Sequence, residues 1–162
     1  WAKNRIVPDC INAWSNNNSV ELRNPSSTRP WQHVLEPLGG YLTLAEKLSK
    51  NFELHGEAFN FGPPSHQNHS VLALVQEMSK HWEKVKWKIP NKIKETFYES
   101  GLLKLNCDKA LHLLDWQAIL DFKDTVQLTA EWYKSFYENK NEISKTTNQQ
   151  IKEYQKLLFK AS

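Results

Sequence analysis

The 162-residue chain is 40% hydrophobic, 12% aromatic with seven tryptophans, and 24% charged. That is enough apolar matter for a packed core, which excludes a disordered segment and suits one domain over 1–162. The formal net charge of +3 is spread along the sequence, without the clustered basic face of a nucleic-acid binder. No apolar run reaches the roughly 18 residues of a membrane helix, and no leader-like stretch opens the chain, so a cytoplasmic location is expected.

In chain order, Ile6 to Trp14 reads as a helix with Ile6, Cys10 and Ala13 or Trp14 on one face. "SNNNS" is a turn, and Val20 to Arg23 alternates as a short strand. After the break "NPSST", Trp31 to Val34 is a second candidate strand. Leu35 to Leu48 is a helix, with Pro37 in its first turn and Leu38, Tyr41 or Leu42, Ala45 and Leu48 at helical spacing. Gly39 and Gly40 cost that helix about 1 kcal/mol each relative to alanine, which points to another backbone or a ligand passing close by.

Ala58 to Phe61 reads as a buried strand stopped by Gly62-Pro63-Pro64. Ser70 is the N-cap of a helix running to about Trp82. Val85 to Ile89 alternates as a strand with Trp87 inward. Leu102 to Asn106 is a further strand, and Asp108 to about Leu114 a helix. Phe122 to Tyr137 has the best helical pattern. Asn139 to Gln150 is a polar stretch before a last short helix carrying Ile151, Tyr154 and Leu158. Strands mixed with helices predict an α/β or α+β fold.

Chemistry is thinly signalled. Cys10 and Cys107 stand in no CxxC pattern and read as free thiols. His66 and His69 lack an evident third ligand, so no metal is expected. Asp121, Asp124, Glu95 and Glu99 form no marked carboxylate pair, so no catalytic residue is assigned. There is no GxGxxG and no Walker A motif. Arg29, followed by Pro30, is open between a surface salt bridge and a phosphate contact, for which its planar fork is suited. Asn60, between two phenylalanines, either fixes a neighbouring loop or donates to a ligand.

Four segments, "NRIVPD", "VELRNPSSTRPWQHVLEPLGGYLTLAEKL", "FNFGP" and "LKLNCDKALHLLDW", resemble the CDP-glucose 4,6-dehydratases, which are extended short-chain dehydrogenases/reductases. The resemblance runs from Trp1 to about Tyr133, and "RPWQHVLEPL" is its most specific match. It implies the C-terminal substrate-binding portion of such an enzyme with a few elements of the Rossmann sheet. The NAD-binding N-terminal half is then absent, which agrees with a chain that opens at Trp1 and whose only methionine is Met78.

The implied parent reaction moves a hydride from C4 of the glucosyl group to NAD, eliminates water across C5 and C6, and returns the hydride to C6. Its product serves bacterial surface polysaccharides. The resemblance places substrate contacts at Arg29, Asn4, Arg5, Leu22, Arg23, Asn60 and Glu99. His33 and Gln32 fall in the matched core strand, His33 as a structural residue. No group of the reaction chemistry falls in this chain, so the chain alone is expected to be inactive. NAD is expected in the parent, bound mainly outside this chain. CDP-glucose or CDP is the expected partner, with no nucleic acid and no membrane. Apolar surface left by the missing half predicts a homo-oligomer. Another sugar-nucleotide epimerase or dehydratase, or a stand-alone interaction domain, remain the alternatives.

Overall fold

A computed structural model describes residues 5–50, 52–90 and 101–161. The predicted mixture of helix and strand is present. Among the described residues the helices are α1 (Ile6–Ser15), α2 (Leu35–Leu48), α3 (Val71–Met78), α4 (Asp108–Leu114), α5 (Phe122–Glu138) and α6 (Ile143–Ala161). Four two-residue strands stand between them. β1 (Val20–Glu21) pairs in parallel with β4 (Trp87–Lys88), and β2 (Thr28–Arg29) pairs antiparallel with β3 (His69–Ser70).

The helices form for the reasons that their patterns announce. α1 buries Cys10, Ile11 and Trp14 on one stripe, and the Trp14 indole donates to the Lys86 carbonyl at 2.9 Å, tying α1 to the approach of β4. The Ser70 hydroxyl caps α3 by accepting from the Ala73 N–H, and the Asp121 carboxylate caps α5 by accepting from Asp124, each satisfying a donor that the helix leaves unpaired. α3 stops at Met78, four residues before the expected Trp82. Residues 79–82 continue as overlapping turns, with the Lys80, His81 and Trp82 amides bonded to Glu77 and Met78 carbonyls. Trp82 still reaches the core.

Three expected strands are not strands. Trp31 to Val34 is irregular: the Trp31 N–H turns back to the Arg29 carbonyl, and the N–H groups of Gln32, His33 and Val34 meet no acceptor among the described residues. Ala58 to Phe61 is held by side chains. Gln32 donates to the Phe61 carbonyl at 3.0 Å and Lys109 to the Ala58 carbonyl at 3.1 Å. Leu102 to Asn106 contributes one bridge, Leu102 beside Thr28. Alternation supplies a face for a strand but not its neighbour, and without a neighbour the ladder does not form.

The last helix is longer than expected. α6 takes in residues 143–150 of the stretch read as polar linker, because it packs on α5 through hydrogen bonds rather than an apolar stripe. The Trp132 indole donates to the Thr147 hydroxyl at 2.9 Å, Ser135 and Thr146 hydroxyls lie 3.0 Å apart, and the Gln150 amide donates to the Leu128 carbonyl at 2.8 Å.

Among the described residues the core has two clusters. The larger joins α1, β1, α3 and α5 around Trp14, Leu22, Val75, Met78, Trp82 and Val126. The smaller joins α4 to the 54–61 segment through Leu54, Phe61, Ala110, Leu114 and Trp116. Glu36 of α2, 1% exposed, ties distant pieces together. One carboxylate oxygen accepts from the Ile119 and Leu120 N–H groups at 2.9 and 2.7 Å, and the other from the Tyr154 hydroxyl of α6 at 2.8 Å. Burial pushes the Glu36 carboxyl above its ordinary range, while these three donors pull the other way.

The glycine pair of α2 has its close neighbours, and they are side chains. A Cβ on Gly40 would lie 2.3 Å from the Phe61 ring, and one on Gly39 would lie 3.2 Å from the Tyr154 hydroxyl. Gly40→Ala is therefore expected to destabilise by about 1–3 kcal/mol through overpacking, despite the helix propensity it gains. Glu36→Ala is expected to cost about 2–4 kcal/mol, because two backbone donors and the Tyr154 hydroxyl lose their partner, and Glu36→Gln less. Urea denaturation of the variants measures all three.

Candidate functional site

β2 and the segments around it carry the residues that the resemblance selects. Arg29 sits in β2 with its Cα opposite His69 of β3. Its Nη1 donates to the Thr28 carbonyl at 2.7 Å, so the guanidinium is folded back along its own strand. Pro30 follows, and with Pro63, Pro64, Asn68, Lys104 and Leu105 it lines a crevice of about 10 Å³, room for no more than one water. His69 is occupied as well, its ring stacked on Phe122 at 3.8 Å between centroids.

The other selected residues lie on separate segments. Arg5 is exposed at the residue before α1, and Arg23 is exposed in the bend after β1. Leu22 is fully in the core, and its N–H already donates to the Lys88 carbonyl at 3.0 Å, so neither its side chain nor that donor faces outward. Asn60 is exposed and donates to the Asn106 carbonyl at 3.2 Å, which is the loop-fixing role. Asn4 and Glu99 lie outside the described residues.

The large opening in the molecule is elsewhere. A cavity of about 570 Å³ lies between α1, the 31–35 segment, α3, α5 and α6, walled by Trp31, His33, Leu74, Met78, Val126 and Trp132 among others. Its size is that of a small-molecule pocket. No Asp, Glu, Lys or Arg lines it, so a diphosphate would meet no compensating charge there. Arg29 and Asn60 are not in its wall. Of these two openings, the small crevice carries one charged side chain, Lys104, and the large cavity none.

Electrostatics separates reactive groups from inert ones. Burial lowers His33 from 6.5 to about 4, so it is neutral at pH 7. Its Nδ1 accepts from the Leu35 N–H at 3.4 Å, a long bond at the start of α2, so its role is structural. Burial, aided by Asp9, raises the Cys10 thiol to about 12. Burial also raises Cys107, against a weak contact to the Gly62 carbonyl. Neither thiol is a nucleophile near neutrality. Among the described residues no cluster of three His, Cys, Asp or Glu can hold a metal ion, and no helix is long and apolar enough to cross a membrane.

Sequence reasoning missed Glu36. It lies within "RPWQHVLEPL", but nothing local distinguishes a buried glutamate from an exposed one in a first helical turn. It also missed that Gln32 locks the 59–61 segment. A carboxylate among apolar residues, three positions after a histidine, was the available signal.

No protein-family model matches the chain. A CDP-glucose 4,6-dehydratase of Salmonella typhimurium is 36% identical over 137 residues, which is 84% of this chain and 38% of that protein. The chain therefore spans well under half the length of the curated relative it matches. The resemblance read from the four segments holds, and the chain is homologous to part of a CDP-glucose 4,6-dehydratase.

The histidine yields a pH prediction. Its folded value of about 4 lies below its ordinary 6.5, so the unfolded chain binds this proton first. The stability that neutral His33 contributes is present above pH 6.5 and is lost as pH falls toward 4, by up to about 3 kcal/mol. The difference between wild type and His33→Phe, followed by urea unfolding from pH 7 to pH 4, should shrink by that amount in the same window.

Proposed function

We propose that this chain is the C-terminal, sugar-nucleotide-binding portion of an NAD-dependent dehydratase that converts CDP-glucose to its 4-keto-6-deoxy product. The kinship with the Salmonella dehydratase over 84% of the chain carries the reading. The parent protein in this reading is a cytoplasmic bacterial hydro-lyase that self-associates.

The chain's part in the reaction is binding. Arg29 is anchored by β2–β3 pairing and its own backbone contact. A guanidinium so held meets a diphosphate with less loss of side-chain freedom, and its bonds are charge-assisted. Arg5, with Asn4, adds positive character at the start of α1, Arg23 at the end of β1. Glu99 belongs to the same proposed set. Neither the uncharged cavity nor any glycine-rich loop of this sequence fits the pyrophosphate of NAD. In this proposal the dinucleotide belongs to residues outside the chain, and so does the proton and hydride chemistry, which leaves the chain alone inactive.

Calorimetric titration of CDP into the protein tests the reading. Arg29→Ala should weaken binding about 10- to 100-fold, or about 1.5–3 kcal/mol for a hydrogen bond to a charged group. Unchanged affinity would make Arg29 structural, and an equal response to UDP or dTDP would remove the cytidine assignment. In the full-length enzyme, product analysis separates a 4-keto-6-deoxy sugar from an epimer.

A further inference from the structure

Three polar groups in the wall of the large cavity are not used by the fold. His33, Thr125 and Gln150 line it, and they are only 6%, 5% and 5% exposed. His33 is neutral at pH 7 and accepts the Leu35 N–H on Nδ1, so the ring proton sits on Nε2. That Nε2–H meets no acceptor among the described residues. Gln150 donates from its amide nitrogen to the Leu128 carbonyl, and its Oε1 meets no donor among them. The Thr125 hydroxyl has no partner there either, whereas Thr129, one turn on, bonds to the Thr125 carbonyl.

Open space reaches all three atoms. Among the described residues, the side-chain atoms sealed away without a partner are Gln32 Oε1, His81 Nε2 and Trp116 Nε1. His33 Nε2, Thr125 Oγ1 and Gln150 Oε1 are not sealed. Their residues are buried, so the space that reaches them is the cavity that they line. Val34 and Leu38, both exposed, belong to the same wall and mark its mouth.

The chemistry of that wall restricts its occupant. Trp31, Leu74, Met78 and Val126 make most of it apolar, and the Trp132 and Thr147 side chains are committed to each other. No Asp, Glu, Lys or Arg lines it, so an ion would lose its hydration without a countercharge. A plain hydrocarbon would strip water from three polar groups and pair none of them. An uncharged molecule with an apolar frame gains desolvation, and a hydroxyl on it can accept from His33 and donate to Gln150.

We infer that the cavity is a binding site for a small, uncharged, hydroxyl-bearing molecule with an apolar frame, whose polar group is held by His33, Thr125 and Gln150. A volume of about 570 Å³, apolar walls and a few polar groups are the form such sites take. Each element round the cavity has a part. His33 keeps Nδ1 for the start of α2 and offers Nε2 to the ligand. Gln150 is fixed to α5 by its amide nitrogen, one turn from Thr125, and offers its oxygen. The site is separate from Arg29 and does not depend on which sugar nucleotide the chain binds.

Calorimetric titration with three probes of one frame tests it: diphenylmethanol, diphenylmethane and diphenylacetate, with the His33 side chain followed by nitrogen NMR in the unaltered chain. The alcohol should saturate the site and bind at least about tenfold more tightly than the hydrocarbon or the acid. Only the alcohol should move the His33 Nε2 resonance. Thr125→Val removes a hydroxyl that the fold does not use, so the circular dichroism spectrum should be unchanged while the preference for alcohol over hydrocarbon falls about fivefold. Absence of saturable alcohol binding overturns the inference. So does equal affinity for alcohol and hydrocarbon, a His33 resonance indifferent to the alcohol, or a folded Thr125→Val variant with the preference intact. Loss of alcohol binding in a longer polypeptide that carries this chain gives the space to a neighbouring segment and overturns it as well. CDP and the Arg29→Ala change should leave the alcohol's affinity unaltered, so failure of this site and failure of the sugar-nucleotide reading are recognised separately.

Discussion

The buried carboxylate of Glu36 is the contact on which the arrangement of this chain turns. It lies in the first turn of α2, yet its acceptor oxygens gather two amides from the 119–120 loop and a hydroxyl from the last helix. Removing a carboxylate from water is expensive unless its lone pairs are met. Here three donors meet it, so the three segments are held to one geometry. The glycines beside it complete the joint: Gly39 makes room for the Tyr154 that serves Glu36, and Gly40 lets Phe61 of the second core cluster close on the same helix.

This joint has a consequence for the rest of α2. A helix that turns Glu36, Gly40, Leu44 and Leu48 inward has Leu38, Tyr41 and Leu42 on the outside. That inversion leaves the stripe from Val34 to Leu42 uncovered. In the segment that leads into the helix, the N–H groups of Gln32, His33 and Val34 meet no acceptor among the described residues. The arginines proposed for a sugar nucleotide, Arg5, Arg23 and Arg29, lie instead at the start of α1, after β1 and in β2.

How far the sequence could be read differs from element to element. α2 and α4 appear with the bounds that periodicity predicts, and the Ser70 cap forms as its hydroxyl and position suggest. α6 hid because its contacts are Thr147 and Gln150 rather than a leucine stripe. Asn60 was open between two roles, and the carbonyl of Asn106, distant in sequence, supplies the loop-fixing one. Arg29 was marked by its neighbour Pro30, but its fold-back onto Thr28 depends on a strand partner, β3, that no local pattern names.

Local chemistry by itself determined the bounds of α2 and α4, the cap at Ser70, and the kinship carried by "RPWQHVLEPL". Those properties depend on residues within a turn or two of each other, where backbone geometry fixes spacing. Tertiary structure alone decided which alternating segments became strands, which face of α2 points outward, and that Glu36 is buried. A ladder needs a second strand, and a buried carboxylate needs donors from far along the chain. Both depend on partners more than 30 residues away in sequence, and a local pattern has no information about them.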